Sequence, residues 1–436
     1  MNDSEHSTGG DTNASVAASV SNTSNDLASF LIQSGCQDPV IANYLYWYLT
    51  VEIEATASID SSKLSNEYKR IRARLQKALQ MAGGEARQRE NSIRMQKKLV
   101  ETLVSMTKLV SQETGGRTQK EKALRKAIRE HSDLKDMPGL CLPVDPLVKV
   151  KAIVPEATMV FNSTRMPIKL CFETETNERY TTVFKSGDDL RQDQLVVQMI
   201  RIMDRLLRRE GLDLRLTPYS VLATSPNDGF IEFVKSTPLT SVMSNWSSIQ
   251  EFLRSFRPSP NSRYGIEHEV LENYVRSCAG YSIICYILGI GDRHLNNLLL
   301  CESGRLFHID FGFFLGRDPK PLPPPMKLTT EMVNAMGGLD SKEWKDFRGF
   351  CFSAFNILRR HANLILNLFS LMLDAGIPDI AIEKDKAVQK VEQRFHLEMT
   401  EEMADQHIQM LIDESVNAKM PIIVDLVHNF TQYMRN

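Results

Sequence analysis

The residues from Gly291 to Gly312 read GDRHLNNLLLCESGRLFHIDFG and bring together two acids, an amide and an imidazole. Phosphoryl transfer passes through a loose transition state, so a catalyst contributes mainly positioning and metal-assisted charge stabilisation. Magnesium takes hard oxygen ligands, which carboxylates and amides supply. Asp292 lies five residues before Asn297, and Asp310-Phe311-Gly312 follows. Kinases space a catalytic-loop acid, an amide ligand and the metal-binding Asp of a DFG triplet in this way. The order Asp292-Arg293-His294 inverts that of protein kinases. It puts an imidazole, His294, where a substrate hydroxyl would lose its proton. Each piece alone arises by chance; the order and spacing together point to a phosphotransfer site.

A second cluster spans Tyr180 to Asp193, YTTVFKSGDDLRQD. A strand ending at Lys185, a turn at Gly187 and a helix opening at Asp188-Asp189 put a lysine within reach of ATP phosphates. Asp193, early in that helix, is the candidate to hold the lysine. Asp188 and Asp189 suit helix capping. No GxGxxG loop occurs in this region. Phe161 to Pro167 (FNSTRMP) offers backbone N–H groups and the Ser163 hydroxyl for phosphates. On spacing alone it reads equally well as an ordinary strand connection.

Strand-like runs at Ile168–Phe172, Tyr180–Phe184 and Phe230–Val234 form a small β-rich lobe, about 150–234. A helix from Asp189 to about Arg209 sets Leu195, Met199, Ile202, Met203 and Leu206 on one face. From Ser247 the pattern is mostly helical, giving a larger lobe, about 235–436. A cleft between two such lobes is a natural nucleotide site. Upstream, residues 26–135 show helical spacing broken once, at Gly115-Gly116. Residues 1–25 are rich in Ser, Asn, Thr and Gly and bury too little apolar surface to order. The expected architecture is α+β: a two-lobed, protein-kinase-like catalytic domain (136–436) after an α-helical accessory domain.

Bulk properties narrow the function. The 436 residues are 42% hydrophobic and 24% charged, with a formal net charge of −2. No global field draws such a chain to nucleic acid, so no nucleic-acid partner is expected. No apolar run approaches a membrane span; Tyr281–Ile290 is too short and reads as a buried helix. The seven cysteines form no CxxC pair and read as free thiols of a reducing, cytoplasmic compartment.

The strings GDDLRQD, GDRHLNN, FHIDFG and LGRDPKPLPPPMKL resemble the phosphatidylinositol 3-kinases, the last string looking like class III. The likeness runs from about Asp26 to the C-terminus and includes SCAGY (277–281), LILNLFSLM (364–372) and LIDESV (411–416). The helical segment resembles only the C-terminal part of the family's helical domain, and the β-sandwich that precedes it in the family has no counterpart here. The resemblance implies ATP and Mg2+ (or Mn2+) as cofactors. It implies Lys185 and Ser163 at the ATP phosphates, and Glu232, Phe233 and Val234 in the hinge with Val234 on the adenine. It implies Tyr219 and Ile309 in the adenine pocket, His294 as base supported by Asp292, and Asn297 and Asp310 on the metal. It also implies an activation segment, Asp310 to about Leu328, that reads a lipid head group. Asn296 and Tyr433 depart from the family pattern, which has Asp and Trp at or near those places.

That segment carries Arg317, Lys320 and Lys327, offset by Asp318, and five prolines between Pro319 and Pro325. A doubly phosphorylated head group calls for clustered cations. This loop lacks them, so unmodified phosphatidylinositol, phosphorylated on its 3-hydroxyl, is the expected substrate. The apolar stripe of Met420–Met434 reads as a packed-core helix or a membrane-facing one, and the resemblance favours the membrane. The resemblance further implies a protein-kinase-like regulatory subunit and a Beclin-type subunit, and peripheral placement on endosomal and autophagosomal membranes. A phosphatidylinositol 4-kinase, a related serine/threonine protein kinase and a pseudokinase scaffold are the alternatives.

Overall fold

The computed structural model describes residues 26–56, 62–161, 163, 165–320 and 323–417. The expected disordered tail, the Met420–Met434 stripe and Tyr433 lie outside these residues.

Five helices open the described chain: α1 (Leu27–Gln37), α2 (Pro39–Thr56), α3 (Ser62–Ala82), α4 (Gly84–Gln112) and α5 (Arg117–Glu130). Asp26 starts α1 by accepting the Ser29 N–H at 2.6 Å, an N-cap bond. The sequence suggested one interruption, at Gly115-Gly116. The structure also breaks at Asp38-Pro39 and at Gly83-Gly84. Pro39 has no N–H to continue α1, and Asp38 accepts the Val40 and Ile41 amides to begin α2. The helices bury Trp47, Leu75, Leu79, Leu99 and Leu103 between them. Inside this core the Trp47 indole N–H donates to Gln96 Oε1 at 2.8 Å, so its one polar atom is satisfied.

Strands follow: β1 (Leu140–Cys141), β2 (Lys149–Ile153), β3 (Met159–Val160), β4 (Ile168–Thr174) and β5 (Arg179–Ser186). After α6 (Arg191–Arg209) come β6 (Val221–Ala223) and β7 (Asp228–Glu232). The sheet order is β1-β2-β4-β5-β7-β6, with β3 pairing β4 off this path. The strand expected to reach Val234 stops at Glu232.

The chain then runs through β8 (Thr237–Pro238), α7 (Leu239–Asn245), α8 (Ile249–Phe256), α9 (His268–Leu288), β9 (Leu298–Leu300) and β10 (Leu306–His308). It continues with α10 (Thr330–Ala335), α11 (Lys342–Arg360), α12 (Ala362–Ser370), α13 (Pro378–Glu383), α14 (Ala387–Phe395) and α15 (Glu401–Asn417). β8, β9 and β10 form a second, antiparallel sheet. α9 is the centre of this part: every residue from Ser277 to Leu288 is buried, and α11 packs along it.

By contacts the chain forms two compact units. One holds the five helices and the chain to Tyr180, with 184–186 and 223–228; the other holds 181–183, 187–222 and 229 onward. Among the described residues no helix is long and apolar enough to cross a membrane. All seven cysteines are free, and burial pushes the Cys278 and Cys285 thiols up to about 12.

Candidate active site

The phosphotransfer candidates sit where α9 hands over to the β9–β10 hairpin. Gly289 caps α9 in the left-handed region (φ 61°), where a Cβ would be costly. The next turn must pass close to other backbone. A Cβ on Gly291 would lie 2.1 Å from the Arg317 carbonyl, so only glycine fits. The Gly291 N–H donates to Phe313 O at 2.9 Å. Loop and activation segment are thereby joined before either presents a side chain.

The hairpin register then brings the metal-ligand candidates together. Leu298 pairs with His308, and one step on the Ile309 N–H donates to Asn297 O at 3.1 Å. Asn297 is therefore opposite Ile309, one residue from Asp310. The Asn297 amide NH2 donates to Asp292 O at 3.1 Å, which turns the amide oxygen the other way. Asp292 and Asp310 both adopt positive φ, 52° and 61°. Such strain persists only where surroundings hold it, and it gathers at functional sites. His294 Nε2 lies 3.9 Å from Asp292 Oδ2, close enough for the carboxylate to support a charged imidazole.

Arg293 does the holding, a role that sequence reasoning missed. It is 8% exposed, and its guanidinium donates to Gly291 O at 2.7 Å, to Ile309 O at 2.8 Å and to Asp310 O. It also lies 5.4 Å from the centroid of the Phe311 ring. One planar fork thus fixes the backbone before Asp292 and at Asp310. The only sequence signal was its place between Asp292 and His294. His308, next to this clamp, stacks on Tyr281 at 4.9 Å. Burial and the nearby Arg293 charge hold its pKa well below the usual value, so it stays neutral.

The first turn of α6 grips the Phe311 peptide. Asp193 Oδ1 accepts the Phe311 N–H at 3.1 Å, and Gln192 Nε2 donates to Phe311 O at 2.8 Å. Asp193 was singled out as a partner for Lys185; the Phe311 bond gives its carboxylate a further role, in holding the activation segment. Lys185 lies near the end of β5, half-buried, in the other unit, and so does exposed Ser163 in the β3–β4 connection. Leu190 is the N-cap of α6 and makes no side-chain cap bond; Asp189, one residue earlier, accepts the Arg191 N–H at 3.0 Å and pairs with its guanidinium.

Arg317 was expected at a head group; in the structure its guanidinium pairs with Asp379, a residue only 2% exposed on α13. A buried carboxylate needs such a partner, and Asp379 also accepts the Phe314 N–H. Asp318 had been read only as a charge offset. Its carboxylate accepts the Asp292 N–H at 2.7 Å and the Lys320 N–H at 2.8 Å. Lys320 and Lys327 border a cavity with Arg293, Asp318 and Pro323 to Pro325 that has room for several waters.

On the adenine side, Tyr219 is buried edge-on to Phe307 at 5.9 Å. Glu232 donates its N–H to Ser220 O and Phe233 donates to Thr181 O. Val234 is the next residue, and among the described residues its amide has no protein acceptor. β8 follows at once and pairs with β9, tying this run to the strand that leaves Asn297.

The donor set fits magnesium: one amide oxygen and one carboxylate are hard oxygen ligands. Among the described residues no group of three or more His, Cys, Asp or Glu forms a protein-only metal cage. A cation here would therefore draw its other ligands from phosphate and water. An acid–imidazole pair beside an amide–carboxylate pair, on a hairpin following a buried helix, defines a kinase-type phosphotransfer site.

Comparison with known proteins narrows the class. Residues 179–382 match the family Phosphatidylinositol 3- and 4-kinase. The chain is 46% identical over 425 residues to the phosphatidylinositol 3-kinase catalytic subunit type 3 of Caenorhabditis elegans, covering 94% of this chain and 47% of that protein. It is 44% identical to phosphatidylinositol 3-kinase pik3 of Schizosaccharomyces pombe, over 94% of this chain and 51% of that protein. It is 42% identical to phosphatidylinositol 3-kinase VPS34 of Saccharomyces cerevisiae, over 94% and 45%. The chain thus spans about half the length of the curated relatives it matches.

Proposed function

We propose that the chain transfers the γ-phosphate of ATP to the 3-hydroxyl of phosphatidylinositol, forming phosphatidylinositol 3-phosphate. The observation that carries this is the register-fixed grouping of Asp292, His294, Asn297 and Asp310, joined with the relatives' shared name as phosphatidylinositol 3-kinases.

His294 takes the proton as the inositol oxygen bonds to the γ-phosphorus, and the bond from that phosphorus to the β–γ bridging oxygen breaks. Asp292 stabilises the imidazolium that results. Asn297 and Asp310 would hold magnesium, which would supply charge neutralisation for the phosphates. Val234 offers its amide to the adenine, and Glu232, Phe233, Tyr219 and Ile309 shape the pocket around it. Lys185 and Ser163 take the phosphates. Arg317, Lys320 and Lys327 are the cations offered to the head group, and Arg317 also pairs with Asp379. So thin a set suits the single phosphodiester of unmodified phosphatidylinositol.

By likeness to relatives named as catalytic subunits, the chain works within an assembly containing a protein-kinase-like regulatory subunit and a Beclin-type subunit. Its place is then peripheral, on endosomal and autophagosomal membranes from the cytoplasmic side.

The test is transfer of labelled phosphate from ATP to phosphatidylinositol vesicles, with the ring position of the product determined. The expected product is the 3-phosphate, with little transfer to the 4,5-bisphosphate lipid and a loss on the order of 10²–10³ in kcat for Asp310→Ala. A 4-phosphate product, or phosphorylated peptide without phosphorylated lipid, would overturn the reading.

A further inference from the structure

β3 is a two-residue strand with one partner, β4, so one side of its backbone has no strand beside it. Phe161 N–H bonds across to Pro167 O at 2.9 Å, so the Val160 N–H and Thr158 O point the other way. An edge left like this must find other partners or expose its peptide groups.

Helix α5 provides them. Glu121 Oε1 accepts the Val160 N–H at 3.2 Å. Arg125 donates through Nε and Nη2 to Thr158 O at 3.1 and 2.9 Å. The two side chains are one helical turn apart and lie 3.7 Å from each other, with Glu121 only 17% exposed. A donor and an acceptor set at residues 158 and 160 reproduce what a neighbouring strand would present. Nearby, Lys120 Nζ lies 3.2 Å from Met166 Sδ on the far side of the same connection. The free edge of β1, a terminal strand of the sheet, is finished in the same manner. Ser92 Oγ accepts the Cys141 N–H, and Gln96 donates to Cys141 O, both from α4. The helical region thus closes the free edges of β3 and β1 with side chains.

From this geometry we infer that Glu121 and Arg125 are positioning residues for nucleotide. They act as a surrogate strand that fixes the stem of the hairpin carrying Ser163, and so set affinity for the phosphates of ATP. The inference rests on the reading of that hairpin as phosphate-binding. It gives the helical region a direct part in the reaction: whatever displaces α5 is felt at the nucleotide before it is felt at the lipid.

The variants are Glu121→Leu, Glu121→Gln and Arg125→Leu, with Lys126→Ala, an exposed neighbour on α5, as control. Each is examined by amide hydrogen exchange at Val160, by equilibrium binding of a fluorescent ATP analogue, and by kcat and KM for ATP on phosphatidylinositol vesicles. Glu121→Leu is expected to lose protection at Val160 and to raise KM and the analogue's Kd about tenfold, with kcat within about twofold, as removal of a charge-assisted bond should. Glu121→Gln keeps an acceptor oxygen and is expected to recover most of the affinity. Unchanged exchange at Val160 in Glu121→Leu overturns the clamp. Faster exchange with unchanged nucleotide affinity, or a fall in kcat and thermal stability alone, overturns its role in positioning nucleotide. If the parent chain binds ATP but phosphorylates no lipid, the proposed function fails while the exchange and binding measurements still decide this inference.

Discussion

At the scale of single residues, the site is held by groups that never touch the reacting atoms. Asp292 and Asp310 sit at positive φ, and neither would stay there unaided. Arg293 supplies the restraint by bonding to the carbonyls of Gly291, Ile309 and Asp310 from a position closed to solvent. Arg293→Met would keep much of the volume and leave three carbonyls without their donor, at about 1–3 kcal/mol for each that water cannot reach. The expected result is a kcat at least tenfold lower together with a thermal midpoint several degrees lower. Initial rates and calorimetry on the same sample check both, and a wild-type kcat would show that Arg293 is dispensable. Asp292, Asn297 and Asp310 could be picked out from spacing, since metal and acid chemistry restrict their identities. Arg293 could be seen but not interpreted, because its three partners are backbone atoms that sequence does not mark.

At the scale of elements, short pieces carry the site and long ones fix their register. β9 and β10 are three residues each, yet their pairing puts Asn297 next to Asp310. The first turn of α6 holds both polar groups of the Phe311 peptide, and α13 sends Asp379 to Arg317. The activation segment is in this way fastened from two sides. Its closest approach to the catalytic loop is at Gly291, where a methyl would meet the Arg317 carbonyl at 2.1 Å. Gly291→Ala is accordingly expected to push Arg317 and Asp318 away and to break the bond from the Asp292 amide to Asp318. Activity should fall at least tenfold while far-ultraviolet circular dichroism stays as in the parent, because the change lies outside every helix and strand. Retained activity would mean that the segment shifts freely.

At the scale of the whole molecule, the helical region and the first strands form one unit, and the residues proposed to hold the metal form part of the other. The strands β1 and β3 belong with the helices because α4 and α5 complete their edges. On the proposed function magnesium would enter with the nucleotide, on Asn297 and Asp310, with no protein-only cage among the described residues. A chelator is therefore expected to abolish phosphate transfer and to move the thermal midpoint of the nucleotide-free protein by no more than about 1 °C. A large destabilisation on chelation would reveal a structural metal.

The sequence by itself determined the chemistry and the main elements. Asp292, His294, Asn297 and Asp310 announce themselves because phosphoryl transfer admits few residue types at few spacings. The buried α9 and the amphipathic α6 announce themselves because burial imposes periodicity. It did not show that Arg317 pairs with Asp379, since Asp379 lies far along the chain and a cation looks the same whatever anion it meets. It showed one interruption in the helical region where the structure has further ones, because a proline or a glycine pair ends a helix by local geometry that spacing does not weigh. Only tertiary structure could decide that Glu121 and Arg125 complete the β3 edge. Their partners are the N–H and C=O common to every residue, and which of these lacks a strand depends on how the chain folds.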